Sequence, residues 1–231
     1  MQIKGIVFDF DGLIMDTETP VFQAWQEVFS PYGIELPLSK WAAAIGSDLD
    51  SFDPLIYLEK TTGKLIDVEK MRIIHGQRTL ELLSEAKILP GVVEYLDQAL
   101  ELGLKIGMAS SSDRAWVIDH LTEFDLRHYF DVVFTMEDVE HVKPDPELYQ
   151  KAAAGLGLLP AQTAAFEDAP NGILAAKRAG LYCVAVPNSL TRPLDFSGAD
   201  LILESFCQMP LEKTLASLNH KGNHQERNDA H

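Results

Sequence analysis

The sequence is short of several things, and each shortage narrows what the chain can be. It has two cysteines, Cys183 and Cys207, in 231 residues. Neither sits at a metal-type spacing, so buried free thiols in a reducing compartment are expected, with a disulfide between the two as the alternative. No apolar run is long enough to span a bilayer. The N-terminus enters a strand-like segment without a basic region and apolar stretch, so no signal peptide is predicted and the cytoplasm is the expected location. Positive charge is scarce: 19 Lys and Arg stand against 35 Asp and Glu, a formal net charge of −16. Such a chain repels nucleic acid and anionic membrane, so neither is an expected partner. Any anion it binds must be held by a few local lysines, backbone N–H groups or a bound cation. No internal repeat or low-complexity segment is present, and His75, His120, His128 and His141 show no ligand spacing.

What is present is an ordinary globular composition, 46% hydrophobic and 23% charged, in which one stretch breaks the local rules. Ile6-Val7-Phe8 and Phe10 have the content of a strand buried on both faces. Asp9 and Asp11 interrupt that strand at its end, and Gly12 follows. Buried carboxylates are costly unless they hold a metal or do chemistry. A pair this close suits a cation with a preference for oxygen, such as Mg²⁺, and a carboxylate can also attack phosphorus. The plain alternative is a solvated acidic turn.

Downstream, strand and helix patterns alternate. A strand is expected over Ile3–Phe10 and helices over Glu18–Phe29 and Val68–Leu83, with short helical pieces at Trp41–Ile45 and Leu55–Leu58. From Pro90-Gly91 the pattern becomes helix Val92–Leu102, strand Leu104–Ala109, helix Arg114–Glu123 and strand Val132–Phe134. A helix through Ala154 follows Lys143-Pro144-Asp145-Pro146. Next come strand Thr163–Phe166, helix Pro170–Ala179, strand Tyr182–Val186, a further strand near Leu201–Leu203 and a last helix over Pro210–Leu218. This alternation predicts an α/β fold, a Rossmann-like parallel sheet with helices on both faces. Nothing from Pro20 to Ala86 alternates like a strand. The expected organisation is a core of residues 1–15 and 88–219, an inserted all-helical cap of residues 16–87, and a polar tail of residues 220–231. Trp25 and Trp41 are expected in the interior of the helical insert.

In open parallel sheets, ligands bind beyond the carboxyl ends of the strands, and polar residues gather there. Ser110 and Ser111 follow a strand and could offer hydroxyl and N–H groups to a phosphate oxygen, or, with Ser112 and Asp113, cap the next helix. Lys143 precedes a proline and could neutralise a phosphoryl oxygen, or be a surface lysine before a helix. Glu167 and Asp168 end a strand and could complete a metal site with Asp9, or form a turn.

Taken as a set, Asp9-Phe10-Asp11-Gly12, Ser110, Lys143 and Glu167-Asp168 resemble the four motifs of the haloacid dehalogenase superfamily, subfamily I with a helical cap. Lys143-Pro144-Asp145-Pro146-Glu147 and Phe166-Glu167-Asp168-Ala169-Pro170-Asn171-Gly172 resemble its β-phosphoglucomutase and phosphoglycolate-phosphatase-like branch. The resemblance implies an Mg²⁺-dependent phosphatase that acts on a small phosphorylated metabolite, a sugar phosphate or phosphoglycolate-like ester, through a phosphoaspartate. Asp9 would be the nucleophile and Asp11 the acid/base. The metal would be held by Asp9, the backbone carbonyl of Asp11, Asp168 and Glu167. Ser110, Ser111 and Lys143 would bind the phosphoryl group. Asp16, Thr17, Glu18, Arg114 and Asn171 would lie near the entrance beneath the cap, hinged at Leu13–Thr17 and Ser84–Pro90. A monomer is expected. A phosphosugar mutase is the alternative reading. The mutases resembled here carry a cap-loop arginine, and the comparable stretch Ile45–Ser51 has two aspartates and no Arg or Lys; Arg114 is left as a candidate for a distal phosphate.

Overall fold

The computed structural model describes residues 2–42, 44–45 and 52–218. The expectations for the loop 46–51 and for the tail 220–231 lie outside the described residues.

Six parallel strands form one sheet: β1 (Gly5–Phe8), β2 (Lys105–Ala109), β3 (Val132–Phe134), β4 (Thr163–Glu167), β5 (Tyr182–Ala185) and β6 (Leu201–Ile202), in the order β3-β2-β1-β4-β5-β6. β1 is central, paired with β2 (Phe8 opposite Met108) and with β4 (Phe8 opposite Phe166). Successive strands are added to one side of β1 as far as β3 and to its other side from β4 onward, which makes its carboxyl end the topological switch point where α/β sheets place ligands. β1 is shorter than expected. Regular pairing stops at Phe8, although the Asp9 N–H still donates to the Phe166 carbonyl at 3.0 Å.

The two faces follow the period of two. Ile6 and Phe8 join Tyr95, Met108, Phe166 and Phe206 on one side, beneath α5 (Val92–Glu101), α6 (Arg114–Glu123) and the helix at residues 211–218. There the Phe8 and Phe166 rings stack, with centroids 5.1 Å apart. Val7 faces the other side with Leu148, Ala152 and Ile173, beneath α7 (Glu147–Gly155) and α8 (Pro170–Arg178). Between β1 and α5 lie α1 (Glu18–Phe29), α2 (Leu38–Trp41), α3 (Pro54–Thr62) and α4 (Val68–Leu83), arranged around a separate apolar cluster that includes Trp25, Phe29, Trp41 and Leu58. The two segments that join these helices to the sheet are themselves linked: the Leu89 N–H donates to the Ile14 carbonyl at 2.8 Å.

Two expectations need correction. Cys183 is buried, but Cys207 is exposed, on a short helical turn outside the apolar clusters. α2 begins at Leu38 and ends at Trp41, earlier than the helical piece expected from Trp41. Pro37 is extended and accepts N–H bonds from Lys40 and Trp41, so the helix starts there rather than after it. No described helix is long and apolar enough to cross a membrane.

Candidate active site

Each acidic motif sits at the carboxyl end of a strand. β1 delivers Asp9, β4 delivers Glu167 and Asp168, and the loop before α7 brings Lys143 underneath them. All four are buried. Lys143 Nζ donates to Asp9 Oδ1 at 2.6 Å and to Glu167 Oε1 at 2.7 Å. The Tyr149 hydroxyl also donates to Glu167 Oε1. Asp9, Glu167 and Asp168 each present an oxygen within 4.8 Å of the others.

Two glycines leave room for this cluster. Gly12 has φ +77°, and a Cβ there would fall 2.3 Å from Asp168 Oδ2. At Gly172, on the first turn of α8, a Cβ would fall 2.0 Å from the Glu167 carboxyl. Any side chain at either position displaces a carboxylate.

The electrostatics are unbalanced. Three buried carboxylates share one lysine. Burial, reinforced by the charge of Glu167, pushes Asp9 up to about 7 despite the nearby ammonium. Burial together with Asp9 and Glu167 carries Asp168 well above the usual carboxylate range. Burial works against the charge on Lys143, but Asp9 and Glu167 outweigh it and hold its pKa above the ordinary value. Glu167 Oε2 is buried with no hydrogen-bond partner, which is costly unless something occupies that position. Excess negative charge, clustered oxygen donors and an orphaned carboxylate oxygen together fit a hard divalent cation.

Asp11 lies in different surroundings. Its Oδ1 accepts from the Thr17 hydroxyl at 2.9 Å and from the Trp116 indole at 3.0 Å, and its Oδ2 accepts from the Ser112 hydroxyl at 2.6 Å. The carboxylate is therefore held by neutral donors apart from the acidic trio. Ser110 is wholly buried, with its hydroxyl 3.5 Å from Asp11 Oδ2 while accepting from the Ser112 N–H at 3.0 Å. Capping of α6 falls to Asp113, which accepts from the Trp116 N–H at 2.8 Å.

A cleft of about 560 Å³ opens above these groups, a size typical of small-ligand sites. Asp9, Asp11, Thr17, Ser111 and Ser112 line it from the sheet side, and Glu18, Val21, Trp41, His75, Thr79, Leu80 and Leu83 from the helices. Glu18 is half-buried, and burial, then the charges of Asp11, Asp9 and Asp16, lift it to about 8. The other entrance candidates do not line the cleft. Asp16 accepts from the N–H and hydroxyl of Thr19 on the first turn of α1. Asn171 Nδ2 donates to the Ile45 carbonyl at 2.9 Å. Arg114 pairs with Asp138 at 2.5 Å.

Sequence reasoning missed Asn188, Tyr149 and Trp116. Asn188 Nδ2 donates to Asp168 Oδ2 at 2.8 Å and to the Gly12 carbonyl at 3.1 Å. It follows β5, so the strand-end rule that picked out the other polar residues would have found it. Tyr149 and Trp116 lie inside helices, where nothing local marks them.

A doubly wound sheet with acidic groups, a lysine and a cleft at its switch point defines an enzyme of the α/β class. The family model for haloacid dehalogenase-like hydrolases matches residues 6–186, and the chain belongs to that family. It is 48% identical over 218 residues to the Bacillus subtilis protein YhcW, covering 94% of this chain and 99% of YhcW. It is 33% identical over 189 residues to hexitol phosphatase B of Escherichia coli K12, covering 80% of this chain and 84% of that protein. Among solved structures, β-phosphoglucomutase from Clostridium difficile superposes with a TM-score of 0.75 at 26% identity, over 95% of this chain and 99% of that one.

Proposed function

We propose that this chain is an Mg²⁺-dependent phosphatase that acts on a small phosphorylated metabolite through a phosphoaspartate on Asp9. The observation that carries the reading is the division of labour between two aspartates on one cleft. Asp9 is buried against Lys143 within the acidic trio, whereas Asp11, two residues on, is held by Thr17, Ser112 and Trp116. In the first step, Asp9 attacks phosphorus, the bond from phosphorus to the substrate oxygen breaks, and Asp11 gives that oxygen a proton. In the second, Asp11 takes a proton from water, the water oxygen bonds to phosphorus, and the bond to Asp9 breaks. Asp9, Asp168, Glu167 and the Asp11 carbonyl would hold Mg²⁺, which when bound neutralises phosphoryl charge. Lys143 fixes Asp9 and supplies the resident positive charge, while Ser110 and Ser111 are the candidate hydroxyls for the phosphoryl oxygens. Positioning and charge neutralisation supply most of the rate in such transfers.

In this reading, residues 16–87 form a cap over a core of residues 1–15 and 88–219, hinged where Ile14 and Leu89 are bonded, and closure excludes water from the cleft. A monomeric, cytoplasmic enzyme completes it. The resemblance to the phosphatases supports hydrolysis, and the likeness to β-phosphoglucomutase keeps a mutase as the second reading.

The test is phosphate release from a panel of sugar phosphates with MgCl₂, for the wild type and Asp9→Asn. Release is expected from the wild type, with loss in the variant at unchanged circular dichroism. Substantial turnover by Asp9→Asn would remove Asp9 as nucleophile. Interconversion of sugar phosphates without release would favour the mutase.

A further inference from the structure

The cleft floor and wall offer a substrate opposite things. The floor is polar and holds the reacting groups. The wall is built from Val21, Trp41, Ala44, Leu80, Leu83 and Trp116. Among the described residues lining the cleft there is no lysine or arginine; the charged ones are Asp9, Asp11, Glu18 and Asp113. Arginines on nearby helices are engaged elsewhere: Arg72 with Asp53, Arg78 with Glu27 and Glu81, and Arg114 with Asp138. Lys143 lies below the floor and is taken by Asp9 and Glu167.

A substrate must place its phosphoryl group on the floor and its alcohol part against the wall. A second anion there would be desolvated beside apolar side chains and carboxylates with no positive partner, an arrangement that discriminates strongly against it. An alkyl or ring face would instead gain from burial against two indoles and two leucines. The wall keeps few polar anchors. The His75 imidazole already lies 3.2 Å from the Val21 carbonyl and 3.4 Å from the Thr79 hydroxyl, stacked on Trp25 at 3.7 Å.

We propose that the cleft selects phosphate monoesters of uncharged alcohols that carry an apolar face, and rejects esters bearing a carboxylate or a second phosphate. This rests on the phosphatase reading and narrows it. Phosphoglycolate-like esters and sugar bisphosphates are then disfavoured.

Three esters of matched leaving-group basicity test it: benzyl phosphate, 4-carboxybenzyl phosphate and 1,4-benzenedimethanol bisphosphate, assayed by inorganic phosphate release with MgCl₂. Benzyl phosphate is expected to show a kcat/KM at least about ten-fold above either charged ester. Leu80 is 65% exposed, so Leu80→Lys should fold, and it is expected to reduce that preference by about five-fold or more, chiefly through KM of the charged esters, whereas Leu80→Gln leaves it in place. Equal or better turnover of the charged esters by the wild type overturns the proposal and leaves the phosphatase reading standing. An unchanged preference in Leu80→Lys removes the wall as its source. No phosphate release from these esters or from p-nitrophenyl phosphate overturns the phosphatase reading, and the selectivity falls with it.

Discussion

β1 and α4 both carry large apolar side chains, and those side chains end in opposite surroundings. All four residues of β1 are buried, flanked by strands on both edges and covered by helices on both faces. None of the sixteen residues of α4 is buried, and Ile73 and Leu80 are more than half exposed. α4 is held to α1 by the stack of His75 on Trp25 and by the Arg78 bonds to Glu27 rather than by a sunken stripe. The carboxylates stand at the ends of β1 and its neighbour β4, with Lys143 brought beneath them by the loop before α7, where a displacement of an ångström would be costly to chemistry. Part of the cleft wall, Leu80 and Leu83, stands on the loosely covered α4, where side chains can change without disturbing a core. On the proposed reading, reaction and selectivity fall to regions of different mechanical character.

That contrast can be broken at several points. The largest effect is expected from Lys143→Met, which leaves Asp9 and Glu167 facing each other without a cation. Unfolding by guanidinium should show a loss of about 3–5 kcal/mol, and phosphate release should fall about 10²–10³-fold. Near-normal turnover would make Lys143 a structural residue only. Phe8→Ala comes next, with about 3–5 kcal/mol lost from the centre of the sheet; a loss below about 1 kcal/mol would mean that the core around Phe166 and Phe206 is not tightly packed.

A smaller effect sharpens the picture of the acidic trio. The pKa values of Asp9 and Asp168 are raised in the fold, so the cation-free protein binds more protons folded than unfolded. The stability linked to Asp9 is fully present below the ordinary Asp value of 3.8 and is lost as pH rises through about 7, and that linked to Asp168 is lost in the same direction as pH rises. A divalent cation bound by the trio would take the place of those protons. The gain in Tm on replacing EDTA by MgCl₂ should therefore be larger at pH 8 than at pH 6, and Asn188→Ala should raise the Mg²⁺ concentration needed by about 10–100-fold. Equal gains at the two pH values would separate cation binding from the trio. The smallest change is expected from Ile73→Ala on α4, within about 0.5 kcal/mol of the wild type. A loss of 2 kcal/mol or more, far beyond that approximate range, would show that the exposed face of α4 is covered in solution.

How much of this could be read in the sequence depended on whether the signal was local. The switch from buried strand to carboxylates is local, so Asp9, Glu167 and Asp168 were placed at strand ends, and the structure brings their oxygens together. The parallel α/β order was legible for the same reason, since each strand and helix carries its own periodicity. Contacts made between distant segments left no local trace. Tyr149 looks like any core aromatic until its hydroxyl is seen on Glu167, and Trp116 like a helix filler until its indole is seen on Asp11. Arg114 stood in the right place along the chain for the entrance, but Asp138, on the turn after β3, turns it aside. The periodicity of α4 gave a helix correctly yet said nothing about how little of it would be covered.

The central position of β1 also has a consequence in time. Its partners lie far along the chain: Met108 is made 100 residues after Phe8, and Phe166 later still. At ribosomal rates of about 5–20 residues per second, the first strand waits roughly 5–20 s for its nearest neighbour. Throughout that interval an apolar, β-prone segment is without its native edge partners, and the helices α1 to α5 are made in the meantime. The feature that makes the finished site rigid therefore leaves the nascent chain dependent on whatever shields that strand until the sheet can close around it.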